Sequence, residues 1–196
     1  MNYLLGVIAI VIALISYSFY FHDIFRHKTK PHGVTWFIWG TLNFFIFYEQ
    51  MAAGAGPGAS VTGAAAIANL AIFAFAFKYG ERNITRLDWV CLLIGLLALS
   101  VWFVNRGGDL SVILACMVFV IGFIPTFRKS FKHAEQETII TFALNSTKFL
   151  VALFALQTVS ITTALYPAVL FAVNGFFALF LLYERISIRI KASAKS

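Results

Sequence analysis

The sequence predicts an all-α integral membrane protein: seven transmembrane helices in a 3+1+3 parallel-repeat arrangement. Three observations predict it. Of 196 residues, 61% are apolar and only 12% charged, too few charges to cover a soluble domain of this size. The charges fall in short clusters between seven long apolar runs, the pattern of a chain whose helices face lipid. The clusters also alternate between cation-rich and cation-poor.

A helix needs about 20 apolar residues to cross the hydrocarbon core, and backbone groups in lipid must be paired within their own segment. The runs that meet this are Tyr3–Phe21, Val34–Ala52, Ala59–Phe77, Trp89–Asn105, Leu110–Phe127, Ile139–Gln157 and Thr163–Tyr183. The first has no preceding basic residue and no convincing small-residue cleavage site, so it reads as a retained helix rather than a signal peptide. Turn chemistry separates the rest. Gly54-Ala55-Gly56-Pro57-Gly58 divides the second and third helices, and Arg106-Gly107-Gly108-Asp109 the fourth and fifth. Thr85 with Asp88 three residues later predicts a capping box opening the fourth. Pro167 is expected in the first turn of the seventh, where proline is tolerated. Cys91 and Cys116 lie inside apolar runs and read as small buried residues, without metal-site spacing.

Thirteen of the fifteen cations fall in one alternating set of loops and the C-terminal tail. They are Arg26, Lys28 and Lys30; Lys78, Arg82 and Arg86; Arg128, Lys129 and Lys132; and Arg185, Arg189, Lys191 and Lys195. The opposite loops hold only Arg106, and Lys148 lies inside a helix. The positive-inside rule places the rich side in the cytoplasm and the N-terminus outside. The net charge of +7 then reflects anionic lipid at that face, not nucleic acid. The short loops, without glycosylated outer segments, predict a prokaryotic inner membrane; the Asn83-Ile-Thr85 glycosylation pattern falls on the inner side.

The chain also repeats. Phe25-Arg26-His27 recurs as Phe131-Lys132-His133, a lag of 131 − 25 = 106 residues. Thr35 and Thr141 share that lag, and Asn69 and Asn174 differ by 105. The predicted organisation is therefore a first three-helix repeat (1–78), a linker helix (79–108) and a second repeat with a basic tail (109–196). Two three-helix units fused directly would be inverted. The linker helix makes them parallel, a transporter plan with its site between the halves.

This plan resembles the SWEET and PQ-loop transporter superfamily (MtN3-like). Gly122-Phe123-Ile124-Pro125-Thr126-Phe127-Arg128-Lys129-Ser130 resembles the stretch where that family carries Pro-Gln ahead of a basic loop, with Thr126 in place of the glutamine. The first repeat has no matching proline. The family's paired substrate-contacting asparagines match Asn69 and Asn174, and its use of helix prolines as hinges points to Pro125. Trp36-x-x-Trp39 resembles the tryptophan motif of the related PnuC vitamin transporters.

The residues themselves support two readings each. Asn69 and Asn174 either hydrogen-bond a polar solute in a wet pocket or join helices to one another. Lys148 sits near the middle of the sixth helix, where a charge costs about 3 kcal/mol on insertion scales. It either meets an anionic or accepting group of a solute or belongs to a structural ion pair; Glu49, the nearest acid by type, sits about 10 Å away along the helix axis. Glu49 and Gln50 read as interfacial and solvated. Trp36 and Trp39 share a helix face, as interface-belt anchors or as a stacking wall for a ring. His22, His27 and His32 do not have a ligand spacing, and no nucleophile–base set or phosphate loop stands out. The expected function is transport of a small polar solute, sugar-like or another small metabolite, without enzymatic activity or cofactor, with a homo-oligomer allowed. The other reading is a non-transporting receptor or scaffold of the same fold.

Overall fold

The computed structural model describes residues 2–105 and 108–193, with the side chains of 102–105, 189 and 191–193 excluded. The cations Arg106 and Lys195 and the turn residue Gly107 lie outside the described residues. Within them the chain is all-helical: α1 Asn2–Phe25, α2 Gly33–Ala52, α3 Ser60–Tyr79, α4 Arg86–Asn105, α5 Asp109–His133, α6 Ile139–Phe154 and α7 Ile161–Ser193. Short 3-10 turns, Gly56–Ala59 and Ala134–Gln136, precede α3 and follow α5. Four segments are long and apolar enough to cross a membrane: Asn2–Phe25, Gly56–Tyr79, Asp109–Gln136 and Ile161–Ile188.

The element ends follow local chemistry. Asp88 accepts from Thr85 N at 2.6 Å and from Thr85 Oγ1 at 2.9 Å, so the capping interaction at α4 forms as the spacing predicts. Between α2 and α3, Gly54 and Gly56 have φ of +73° and +63°, a region where a side chain is strained. That loop meets the end of α6: Gln157 N donates to Ala55 O at 3.1 Å. Here α6 stops at Phe154, short of the predicted Gln157, because residues 155–157 turn onto the loop. The seventh helix starts earlier than predicted, at Ile161. Pro167 therefore lies inside α7, not in its first turn. Proline has no N–H to give the carbonyl four residues back, and the Gln50 side chain supplies it instead, donating to Thr163 O at 3.0 Å.

Packing sets α1 against α6 and α3, and α5 against α2 and α7. The pairs α2–α3 and α6–α7 are extensive, and α4 lies against α5 and α2. Small residues permit the close approaches: Ala9, Ala13 and Ser16 of α1 are fully buried, and a Cβ on Gly122 of α5 would stand 2.9 Å from Trp39 Nε1. Large apolar side chains also cover the outside, among them Leu14, Ile67, Leu97, Met117, Phe154 and Leu179, more than a water-facing surface ordinarily carries. The interior is aromatic. Trp39 packs on Phe119 (ring centroids 5.2 Å) and Phe123 (4.3 Å), and Phe123 continues to Phe177 at 5.3 Å.

Candidate functional site

Four asparagines from four helices converge on one small void: Asn43 of α2, Asn69 of α3, Asn145 of α6 and Asn174 of α7. Tyr17, Trp39, Phe119, Phe149, Ala65 and Leu170 complete its wall. Its volume is about 10 Å³, roughly the room for one water. All four carboxamides are buried, which is costly in apolar surroundings unless they are hydrogen-bonded.

Their partners divide the amides into two kinds. Asn69 Oδ1 accepts from Tyr17 OH at 3.0 Å, and Asn145 Oδ1 lies 2.9 Å from Ser16 Oγ. These two are tied to α1. Asn43 and Asn174 instead donate to their own helices, to Trp39 O at 2.7 Å and Leu170 O at 2.8 Å. Asn43 Oδ1 has no hydrogen-bond partner among the described residues. The symmetry of Asn69 and Asn174 in sequence thus does not extend to their bonds: one joins helices and the other does not. Asn43 and Asn145 escaped the sequence reading because they fall outside the 105–106 residue lag as a pair.

Lys148 lies beside this void, fully buried. Its Nζ has no hydrogen-bond acceptor among the described residues. It sits 4.0 Å from the centroid of the Tyr17 ring and 5.0 Å from that of Phe149. Among the described residues Lys148 makes no ion pair with Glu49, which accepts from Gly108 N at 3.2 Å. Glu49 and Gln50 are both buried, correcting the solvated placement: Gly108 N reaches Glu49, and Gln50 reaches Thr163 O of α7. Tyr166 OH is a further buried polar atom without a hydrogen-bond partner among the described residues, behind Phe119 at a ring distance of 5.7 Å.

Trp36 and Trp39 are only 1% and 3% exposed, so neither is a lipid-belt anchor. Trp39 lines the void and donates its Nε1 hydrogen to Phe119 O at 3.1 Å. Trp36 does not line it. It lies one turn nearer the start of α2, packed on Tyr20 at 4.7 Å and on Trp39 at 5.2 Å. Tyr20 in turn meets Phe142 edge-on at 6.4 Å. These rings form a plug between the void and the cation-rich end.

A charged cluster closes that end above the plug. Lys129 of α5 pairs with Glu137, and its Nζ also donates to Lys30 O at 2.6 Å and Gln136 O at 3.3 Å. Tyr20 OH donates to the other Glu137 oxygen at 2.9 Å. Arg185 of α7 binds the carbonyls of Ala134 and Glu137. Thr138 bridges Asp23 at 2.8 Å and Thr29 at 2.7 Å. A second cluster joins α4 to α5, where Arg128 holds the fully buried Asp88 at 2.8 Å. His32 Nε2 stands 3.4 Å from the same oxygen of Asp88. Burial lowers the His32 pKa to about 4; Asp88 opposes this, while Lys129 and Arg128 reinforce it. Composition alone hid these pairs: Asp88 reads as a helix cap 40 residues from Arg128, and Glu137, eight residues from Lys129, meets it only because the chain turns back after α5.

Pro125 is buried inside α5, which continues through it. The next residue, Thr126, donates from Oγ1 to Thr35 Oγ1 at 3.0 Å, tying this part of α5 to α2. Comparison of the chain with protein-family models, with characterised proteins and with solved structures gives no match.

Proposed function

We propose that the chain is an integral membrane protein that carries a small polar solute through a central site between two three-helix bundles, α1–α3 and α5–α7. The observation that carries this reading is the convergence of Asn43, Asn69, Asn145 and Asn174 on one buried void beside Lys148, whose amine has no hydrogen-bond acceptor among the described residues. Buried polar groups are ordinarily matched. An acceptor-less amine and an unused carboxamide oxygen beside a void suit a solute that brings its own acceptors and donors. The apolar exterior and the four helices of membrane-crossing length support insertion. The paired packing, α1 on α6 and α5 on α2, with α2 on α3 and α6 on α7, supports a two-fold plan of the SWEET and PQ-loop kind.

In this reading the structure is closed on the cation-rich side. The Tyr20–Trp36–Phe142 rings and the Lys129–Glu137 pair must part for solute to pass, with Pro125 as the hinge. Asn69, Asn174, Trp39 and Lys148 would contact the solute, together with Asn43 and Asn145. Lys148 favours a solute with a carboxylate or other strong acceptor. Trp36 acts on the gate rather than on the solute.

The tightness of the void favours a second reading, a non-transporting receptor or scaffold, because about 10 Å³ admits no metabolite without movement. Uptake decides between them. Purified protein is reconstituted into vesicles and offered sugars, amino acids, nucleosides and small organic acids, alongside the Asn43→Leu and Lys148→Met variants. Uptake of one solute class, lost in both variants, supports the transporter. No uptake of any class, with protein correctly inserted, sinks it in favour of the scaffold.

A further inference from the structure

Away from the central void, α2, α3 and α4 part near the cation-rich end to leave an apolar groove of about 480 Å³. Phe37, Phe73, Phe77 and Leu92 form its walls, and Trp89, at 58% exposure, forms a lip. Such an opening leaves its lining atoms without contact partners on one side. The groove is polar only where Glu81 and Arg82 reach it.

Three exposed cations lie at that end: Lys78 in the last turn of α3, its Nζ 5.2 Å from the Tyr79 ring centroid, Arg82 beyond it and Arg86 at the start of α4. Arg86 lies three residues before Trp89, so both share one face of α4. Apart from the Arg128–Asp88 and Lys129–Glu137 pairs, which cancel, one acid stands against these. Glu81 accepts a hydrogen bond from Asn83 N at 2.8 Å. Burial raises its pKa, but that bond and Lys129 outweigh it and hold the carboxyl below its ordinary range. The local balance is therefore three cations against one anion.

We propose that this groove holds an acyl chain of an anionic phospholipid, with the phosphate seated among Lys78, Arg82 and Arg86. The proposal rests on the membrane reading above. Charge complementarity selects the occupant. A zwitterionic lipid brings no net charge to this end. A second copy of the chain would bring its own net charge of +7 and oppose the same cations. Basic clusters at helix ends are suited to anionic headgroups, and the apolar walls to the chain that follows.

The test reconstitutes the full chain into phosphatidylcholine vesicles containing small fractions of phosphatidylglycerol or phosphatidylcholine with brominated acyl chains. Bromine quenches tryptophan fluorescence on contact. The Trp89 signal is the difference between the protein and its Trp89→Phe variant. Resistance to alkaline carbonate extraction is measured first; extraction would remove the membrane reading itself, and this site with it. In inserted protein, each cation near the surface favours the anionic lipid about fivefold. A net balance of two therefore predicts about 25-fold preferential quenching by the brominated phosphatidylglycerol. The Lys78→Gln/Arg86→Gln variant leaves the Arg82 bonds to Phe77 O and Lys78 O in place. Its preference should collapse to about onefold with an unchanged unfolding midpoint. Equal quenching by both lipids in the wild type, or a preference retained in the double variant, overturns the proposal. So does an absence of quenching by either, which would indicate a groove covered by protein.

Discussion

Replacing Lys148 by methionine should stabilise this protein, although Lys148 is among its most buried side chains. A cation at the bilayer centre costs about 3 kcal/mol on insertion scales. The usual compensation is an ion pair or several hydrogen bonds, and Lys148 Nζ has no hydrogen bond among the described residues. Its visible return is the Tyr17 ring at 4.0 Å and the Phe149 ring at 5.0 Å. A desolvated cation–π contact contributes about 1–2 kcal/mol. The difference leaves Lys148 unfavourable by about 1–2 kcal/mol. Methionine has a similar length, fills the same space and needs no acceptor. Lys148→Met should therefore raise the unfolding midpoint by about 2–8 °C for a chain of this size, measured in detergent without solute. Tyr17→Leu, which removes the ring beneath the amine, should destabilise wild type more than it destabilises the Lys148→Met background, an interaction a double-mutant cycle reads directly. A fall in the midpoint on Lys148→Met would refute the reasoning. It would mean that the amine has a structural partner and that its burial serves the fold rather than a solute.

The pair Lys129–Glu137 should behave in the opposite way. Lys129→Met alone leaves the buried Glu137 carboxylate without its cation and should cost about 3–5 kcal/mol, while Lys129→Met with Glu137→Leu should recover most of it; equal losses in both variants, read by chemical denaturation, would count against a coupled pair. Gln50→Leu should cost about 1–3 kcal/mol by stranding the Thr163 carbonyl. That loss should shrink in a Pro167→Ala background, where residue 167 supplies the missing N–H; an undiminished loss would mean that Gln50 acts elsewhere. His32 predicts a pH dependence. Its folded pKa of about 4 lies below the ordinary 6.5, so the unfolded chain binds the proton first as pH falls. Stability is full above pH 6.5 and falls by about 3 kcal/mol as pH drops to about 4. Denaturation midpoints across that range should flatten in His32→Gln, and an unchanged slope would remove His32 as the cause.

Particular residues show what was legible in the sequence. The seven helices were, four of them long and apolar enough to cross a membrane, because long apolar runs and the Thr85–Asp88 cap are local signals read along one stretch of chain. The ends were less so. Pro167 looked like a first-turn proline because the start of the helix is not fixed by its local sequence, and the donor that satisfies the carbonyl freed by an interior proline, Gln50, lies 113 residues before Thr163. Trp36 and Trp39 stayed open between an interface belt and a stacking wall because depth along a helix is readable from sequence, whereas the direction a face points is not.

By itself the sequence determined the helical class, the alternation of charge between the two ends, the apolar exterior and the presence of a lone lysine in an apolar run. Each of these depends on composition or on neighbours within a few turns. The tertiary structure decided which amides meet. Asn43 and Asn145 join Asn69 and Asn174 around one void only because α2, α3, α6 and α7 converge there. It also decided that Lys148 has rings rather than an acid beside it. Glu137 meets Lys129, and Asp88 meets Arg128, for the same reason. The amide convergence and the Asp88–Arg128 pair join different helices, and Glu137 reaches Lys129 only because the chain turns back after α5; that geometry is set by how helix faces pack, which no local pattern encodes.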